Sequence, residues 1–356
     1  MTLTARPWLT ELEPYAPGAK APSADGSLSS NECALGASPY VVDAVLREAR
    51  RSHRYPDAMA ADLRAALAEQ HGVLVEQVLV GNGSDELIFL LALAFLAGGG
   101  TAVCASPAYR VDEISTQVVG GSVVSVPLVN DRHDLTAMAE VAADIAHVVN
   151  PHNPTGTLVA RDEIRRFRER SRAGLVVVDE AYVDFAPDPA AATAVPLVAD
   201  GGLAVLRTFS KAHGLAGLRV GYLIAPADVI ATLSSIRAPF SVNRLAQAAA
   251  LAALRDREHH EAVRVHTIDM RGRVGDLLTR HGYDVVPSHA NFVLARVPDE
   301  AAAVRRLADA GIAVRPGSAL GAPGAIRISV PGEDGWHRLR QAVEASRGLR
   351  PAGHTP

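Results

Sequence analysis

Lysine is nearly absent from this chain of 356 residues, where only Lys20 and Lys211 occur. That scarcity weakens the reading of either one as a routine surface cation. Cysteine is as rare: Cys33 and Cys104 form no CxxC pair, and two thiols do not complete a four-ligand zinc site, so both read as small core residues. Long apolar runs are missing too. The longest, Leu87 to Ala97, falls short of the ~20 residues of a membrane helix and reads as a buried helix. Residues 1–18 lack the apolar h-region of a signal peptide, so a cytoplasmic protein without a membrane partner is expected. A net charge of -4 leaves no basic footprint for nucleic acid. A small-molecule partner is the default.

What is present is a globular composition, 48% hydrophobic and 21% charged. Helical spacing runs through Val41–Arg50, Asp57–Gln70, Ser84–Ala97, Leu135–Val141 and Arg161–Glu169. Short apolar runs punctuate it at Val78–Val80, Thr101–Ala105, Val123–Val126, Ala146–Val149, Leu175–Val178, Leu203–Leu206 and Val220–Ile224. Such runs read as buried strands of a mostly parallel sheet with helices on both faces, an α/β domain. From Leu245 to about Arg280 one long helix is expected, then strands at Asp284–Val286, Asn291–Arg296, Ala313–Arg315 and Ala325–Val330, with helices Glu300–Ala310 and Trp336–Ser346. The expected division is an N-terminal arm with part of a small domain (1–40), a large domain (41–245) and a smaller α+β domain (246–356).

Ligands of open parallel sheets sit at the carboxyl ends of the strands, so polar residues that follow apolar runs are the candidates. Gly81-Asn82-Gly83-Ser84-Asp85-Glu86 reads either as a phosphate cradle at a helix start or as a glycine turn with a Ser84 or Asp85 cap. Glu86 stands where a third dinucleotide-binding glycine is wanted. Asp179 ends the run 175–178, and a carboxylate there is costly unless a cation meets it. A protonated heterocyclic nitrogen would do so; a helix cap or a buried arginine partner are the alternatives. Lys211 follows the next run, between small hydroxyls, where desolvation would lower its pKa toward nucleophilic use, and Arg219 adds a guanidinium fork suited to phosphate.

Thr208 to Arg219, Asn150-Pro151-His152-Asn153-Pro154-Thr155-Gly156, Asp179-Glu180-Ala181-Tyr182 and Tyr55-Pro56-Asp57 resemble the successive motifs of fold-type I aminotransferases. Tyr15-Ala16-Pro17-Gly18, Ser30-Asn31-Glu32, Ala290-Asn291-Phe292 and 325–330 narrow the resemblance to the histidinol-phosphate aminotransferase branch, over nearly the whole chain. The resemblance implies a pyridoxal 5'-phosphate enzyme of the aspartate-aminotransferase-like fold. Lys211 would form the internal aldimine and then move the substrate proton, while Asp179 would hold the pyridine nitrogen protonated. Tyr182 and Asn153 would bond the phenolate oxygen and Tyr109 would stack on the ring. Ser84, Asp85 (through its backbone), Ser210 and Arg219 would line the phosphate end. Tyr55 would reach the phosphate of a partner subunit in a homodimer with shared sites. Arg315 and Arg327 would bind the substrate anion, with Tyr15, Asn31 and Glu32 nearby.

The amino group would pass between histidinol phosphate, or an aromatic or related amino acid, and 2-oxoglutarate. A guanidinium accepts carboxylate and phosphate alike, so the arginines leave the donor open. Asn31-Glu32-Cys33-Ala34 stands where the branch reads Asn-Glu-Asn-Pro, and the phenylalanine aminotransferase branch departs there too. A decarboxylase of the threonine-phosphate type would share the fold, the lysine and the aspartate. No metal is expected: His259 and His260 are adjacent on a helix and diverge, while His152 and His213 lie inside the cofactor loops.

Overall fold

The computed structural model describes residues 4–10 and 12–345. Two sheets organise the chain. The strands are β1 (Ser27–Leu28), β2 (Val78–Gly81), β3 (Thr101–Ser106), β4 (Ser122–Pro127), β5 (Ile145–Val149), β6 (Leu175–Asp179), β7 (Leu203–Thr208), β8 (Gly221–Ile224), β9 (Asp284–Val286), β10 (Phe292–Arg296), β11 (Ala313–Pro316) and β12 (Ala325–Ser329). The larger sheet has the order β2-β8-β7-β6-β5-β3-β4, parallel except for β8, which runs against both neighbours.

Period-2 alternation explains its burial on both faces. Val176 and Val178 of β6 enter one core, with Leu63, Leu67, Ile164, Phe167 and the helix Arg244–Arg255. Leu175 and Val177 enter the other, with Leu87, Leu91, Ile230 and Leu233. Each fully buried leucine or isoleucine there contributes roughly 1.5–3 kcal/mol of transfer free energy, which is why strands of Val, Ile and Leu suit the centre. β4 is different. It is one edge of the sheet and its burial is intermittent, where a buried strand was expected.

The smaller sheet, β1-β11-β12-β10-β9, is antiparallel except for β1 beside β11. Ile326 and Ile328 of β12 and Val314 of β11 pack on Met270, Val274, Leu277, Trp336 and Leu339. Alternation therefore turns Arg315 and Arg327 to the opposite face.

The single helix expected from Leu245 to Arg280 is two, Arg244–Arg255 and Arg257–Arg280. Asp256 divides them: its carboxylate accepts from His259 N and caps the second helix. Gly272 and Gly275 lie inside the second helix. The helix expected from Asp57 starts at Ala61, because the Asp57 carboxylate takes the Met59 and Ala61 N–H groups and holds a turn there. Helices Arg110–Val118 and Ala227–Ile236 join the expected set. The last expected helix is described over Glu333–Ala345; Ser346 and the residues after it lie outside the described residues.

Candidate active site

A cavity of about 640 Å³ opens where the carboxyl ends of the large sheet meet the polar face of the small one. Every site candidate named from the sequence lines it except Tyr55.

Asp179 closes β6 and is buried. Its Oδ1 accepts the Ala181 N–H at 2.9 Å, and among the described residues no cation pairs with it. The neighbouring buried guanidinium, Arg207, goes instead to Glu180, with Nε 2.8 Å from Oε2. The buried-arginine alternative is thereby assigned to the wrong carboxylate. Burial pushes the Asp179 carboxyl up to about 7, against the pull of the Ala181 N–H; Asp85 and Glu180 add to the rise. This carboxyl is held ready for a positive partner.

Lys211 follows β7 and reaches the same cavity, its Nζ donating to Ser30 O at 3.1 Å and lying 5.8 Å from the Tyr182 ring centre. Burial lowers its ammonium to about 8, and Arg327 pushes the same way. A lysine that loses its proton near neutrality is a competent nucleophile and base. Ser30 as the acceptor was not foreseen, since it lies far away in sequence.

The helix Gly83–Phe95 aims its first turn at the cavity, and no side chain caps it at Asn82. The exposed N–H groups and the dipole favour an anion. Two glycines keep the space open: a Cβ on Gly83, whose φ is +77°, would stand 2.5 Å from Arg219 Nη2, and one on Gly221 would stand 2.6 Å from Ser84 N. Arg219 donates to Ser210 Oγ at 3.4 Å and to Asp85 Oδ2 at 3.1 Å, and Tyr109 Oη donates to Asp85 Oδ1 at 3.0 Å. Asp85, expected to act through its backbone, thus ties the arginine to the tyrosine with its carboxylate.

Tyr182 is buried and accepts the Asn31 Nδ2 hydrogen at 3.1 Å, its ring edge-on to Phe292 at 5.2 Å. Burial raises its phenol pKa. Asn31 is fixed in turn: Ser329 Oγ accepts its N–H at 2.8 Å, and Asn291 Nδ2 donates to its carbonyl at 3.0 Å. Arg315 and Arg327 stand directly opposite each other on β11 and β12. Arg327 donates to Asn153 Oδ1 at 2.6 Å and to Ser29 O at 2.9 Å, while its buried Nε has no partner. Arg315 donates to Ala16 O at 2.5 Å. Burial and Arg315 both hold the Arg327 guanidinium below its ordinary pKa. Like charges opposed across a ladder are destabilising, so an anion belongs between them. Tyr15 and Glu32 lie exposed at the mouth. Arg110, with Glu113 and Glu13 at 2.7 and 3.6 Å, joins them there. No motif in the sequence singled those three out.

Tyr55 is 78% exposed and stacks on Phe240 at 4.7 Å, away from its own chain's cavity. His152 and His213, expected in the cofactor loops, are absent from the cavity wall. His152 bonds Thr155 and Pro107 O, and His213 stacks on His260. Among the described residues no group of three His, Cys, Asp or Glu side chains is arranged to hold a metal.

An unpaired buried carboxyl, a lysine with a depressed pKa and a glycine-walled anion cradle fit the pyridinium, aldehyde and phosphate of pyridoxal 5'-phosphate. The family model for aminotransferase class I and II matches residues 26–343. The chain is 38% identical to a histidinol-phosphate aminotransferase of Symbiobacterium thermophilum over 97% of this chain and 99% of that one. It is 40% identical to histidinol-phosphate aminotransferase 1 of Dechloromonas aromatica over 89% and 88%. The crystal structure of histidinol-phosphate aminotransferase from Sinorhizobium meliloti in complex with pyridoxal-5'-phosphate matches with TM-score 0.87 at 27% identity, covering 97% and 99% of the chains. An aspartate aminotransferase single mutant of Thermus thermophilus matches at 0.83 and 26%, covering 96% and 98%. The chain belongs to the aminotransferase class I and II family, with the aspartate-aminotransferase fold, and is a pyridoxal 5'-phosphate-dependent transaminase.

Proposed function

We propose that this transaminase moves the amino group of histidinol phosphate to 2-oxoglutarate, with Lys211 as the residue that carries the cofactor and then moves the proton at the substrate Cα. Bound cofactor supplies an electron sink conjugated to the substrate Cα. Asp179 keeps a positive charge at the far end of that sink. Tyr182 and Asn153 set the oxygen edge of the ring and Tyr109 covers its face. The first turn at Ser84, with Asp85, Ser210 and Arg219, holds the phosphate. Arg315 and Arg327 take the anionic end of the donor, with Asn31, Glu32 and Tyr15 closing over it.

The observation that carries the reading is the unpaired Asp179 carboxyl facing the same cavity as the Lys211 amine. The opposed arginines and the names of the relatives support the donor. Incubating purified protein with 2-oxoglutarate and histidinol phosphate, phenylalanine or threonine phosphate tests it. Glutamate from histidinol phosphate without carbon dioxide is expected; carbon dioxide from threonine phosphate would replace this reading by decarboxylation, and glutamate from phenylalanine alone would reassign the donor.

The working unit in this proposal is a cytoplasmic homodimer, each chain divided at about residues 40 and 245, with Tyr55 serving the partner's phosphate. The support is an exposed Tyr55 turned from its own cavity, and no helix among the described residues is long and apolar enough to cross a membrane. Mixing Lys211→Ala with an impaired Tyr55 variant should restore activity in exchanged dimers, because one site then has both residues. Exchange without any gain would refute the shared site.

A further inference from the structure

Behind the cavity a second set of charged groups runs through the interior. Arg207 on β7 donates to Glu180 Oε2 at 2.8 Å and to Thr193 Oγ1 at 3.2 Å, and its Nη1 lies 3.5 Å from Asp184 Oδ1. His260 Nε2 lies 3.6 Å from that same Asp184 oxygen, and the His260 ring stacks on His213 with centroids 4.7 Å apart and planes at 30°. The spacing is informative. Glu180 follows Asp179, Asp184 lies two residues after Tyr182, and His213 lies two residues after Lys211.

His260 alone comes from another part of the fold, the helix Arg257–Arg280. That helix backs the small sheet through Met270, Val274 and Leu277. It also holds the segment after Tyr182, with Arg264 donating to Pro187 O and Arg271 to Phe185 O. We propose that His260 is a positioning residue of the transaminase, fastening the loops that carry Tyr182 and Lys211, through Asp184 and the His213 stack, to the helix behind the substrate arginines. The proposal rests on the roles assigned above to Tyr182 and Lys211.

The groups facing His260 are Asp184 and Arg207 from the large sheet and the loop after it, His213 from the Lys211 loop, and Glu261 from its own helix. Burial pushes the Asp184 carboxyl up, but His260 and Arg207 outweigh it and hold the group below its ordinary range. The Asp184 carboxylate raises His260 above its ordinary value against the effect of burial. Burial, then His260, hold His213 down to about 4. Of the two stacked rings His260 is therefore the one that takes up a proton first, and two like charges face to face are avoided. Because the folded pKa is raised, the stabilisation is complete below the ordinary histidine value and is lost as pH rises through the raised one.

The test compares the cofactor-loaded wild type with His260→Gln from about pH 6 to about pH 9, a range that spans histidine titration. At saturating substrate the ratio of their kcat values should be several-fold at the acid end and fall toward one at the alkaline end, while titration of Lys211, common to both, cancels. A ratio that is constant across the range, or one throughout, overturns the proposal. Thermal midpoints give a reading independent of turnover: the gap between wild type and variant should be wider at pH 6 than at pH 9, and an equal gap overturns the proposal. If the wild type turned over no amino donor, the roles of Tyr182 and Lys211 would fall, and the thermal gap would still decide the His260–Asp184 coupling.

Discussion

The two sheets contribute to the active site in different ways. In the proposed function the large sheet supplies chemistry at its strand ends, where Asp179 closes β6 and Lys211 follows β7. The small sheet would supply recognition from within its strands, where alternation turns Arg315 and Arg327 off the hydrophobic face. A strand end presents backbone turns and loops that aim one side chain at a ligand. A strand interior offers only a two-residue repeat, well suited to placing like groups side by side. Substitutions in the first region should act on turnover with any donor, and those in the second on binding.

The largest effect on that contrast is expected at Asp179. Asp179→Asn should retain cofactor yet lose about 10²–10⁴ in kcat with little change in KM, because an amide does not keep the pyridine nitrogen protonated. Steady-state kinetics with cofactor content checked by absorbance would measure it. Near-normal kcat would make Asp179 structural and erase the contrast from one side.

At Arg327 the effect should be smaller and of another kind. Removing a charge-assisted hydrogen bond costs about 1.5–3 kcal/mol, or roughly ten- to a hundredfold in affinity. Arg327→Gln should therefore raise KM for the amino donor by about that factor while the cofactor spectrum stays the same. A loss confined to kcat would place Arg327 with the chemistry instead.

The smallest effect is one of stability in the cofactor-free protein. Asp179 has its folded pKa raised from 3.8 to about 7, so the folded state holds that proton more tightly than the unfolded chain. Its stabilising contribution is complete below pH 3.8 and declines as pH rises to about 7. Asp179→Asn should remove that decline, and the apoprotein variant should melt above wild type near pH 8. Parallel melting curves across this window would show that the carboxyl titrates normally.

These regions were also unequally legible in the sequence. The large sheet announced itself because its central strands are buried on both faces and so read as unbroken apolar runs; the polar residues in the segment that follows each run then stand out chemically. Asp179 and Lys211 were visible for that reason. The edge strand β4 was misread as buried, because composition does not show where a sheet stops. The break at Asp256 was missed because a capping aspartate looks like any polar residue on a helix surface until its carboxylate is seen on His259 N. β1 has two residues and pairs with β11 almost at the other end of the chain, too short a segment for periodicity. Ser30 as partner of Lys211, Asp85 between Arg219 and Tyr109, and Arg207 on Glu180 rather than Asp179 are all contacts between distant segments. Local pattern carries no record of them.

In the proposed function Lys211 carries the cofactor, and the scarcity of lysine makes this directly measurable. Borohydride reduction of the cofactor-loaded protein fixes the cofactor covalently to whichever amine holds it, and peptide mass mapping then locates the adduct. With only Lys20 and Lys211 as lysine candidates, the added mass is expected on the peptide containing Lys211. An adduct on Lys20 or the terminal amine, or no adduct on a protein that visibly binds the cofactor, would contradict it.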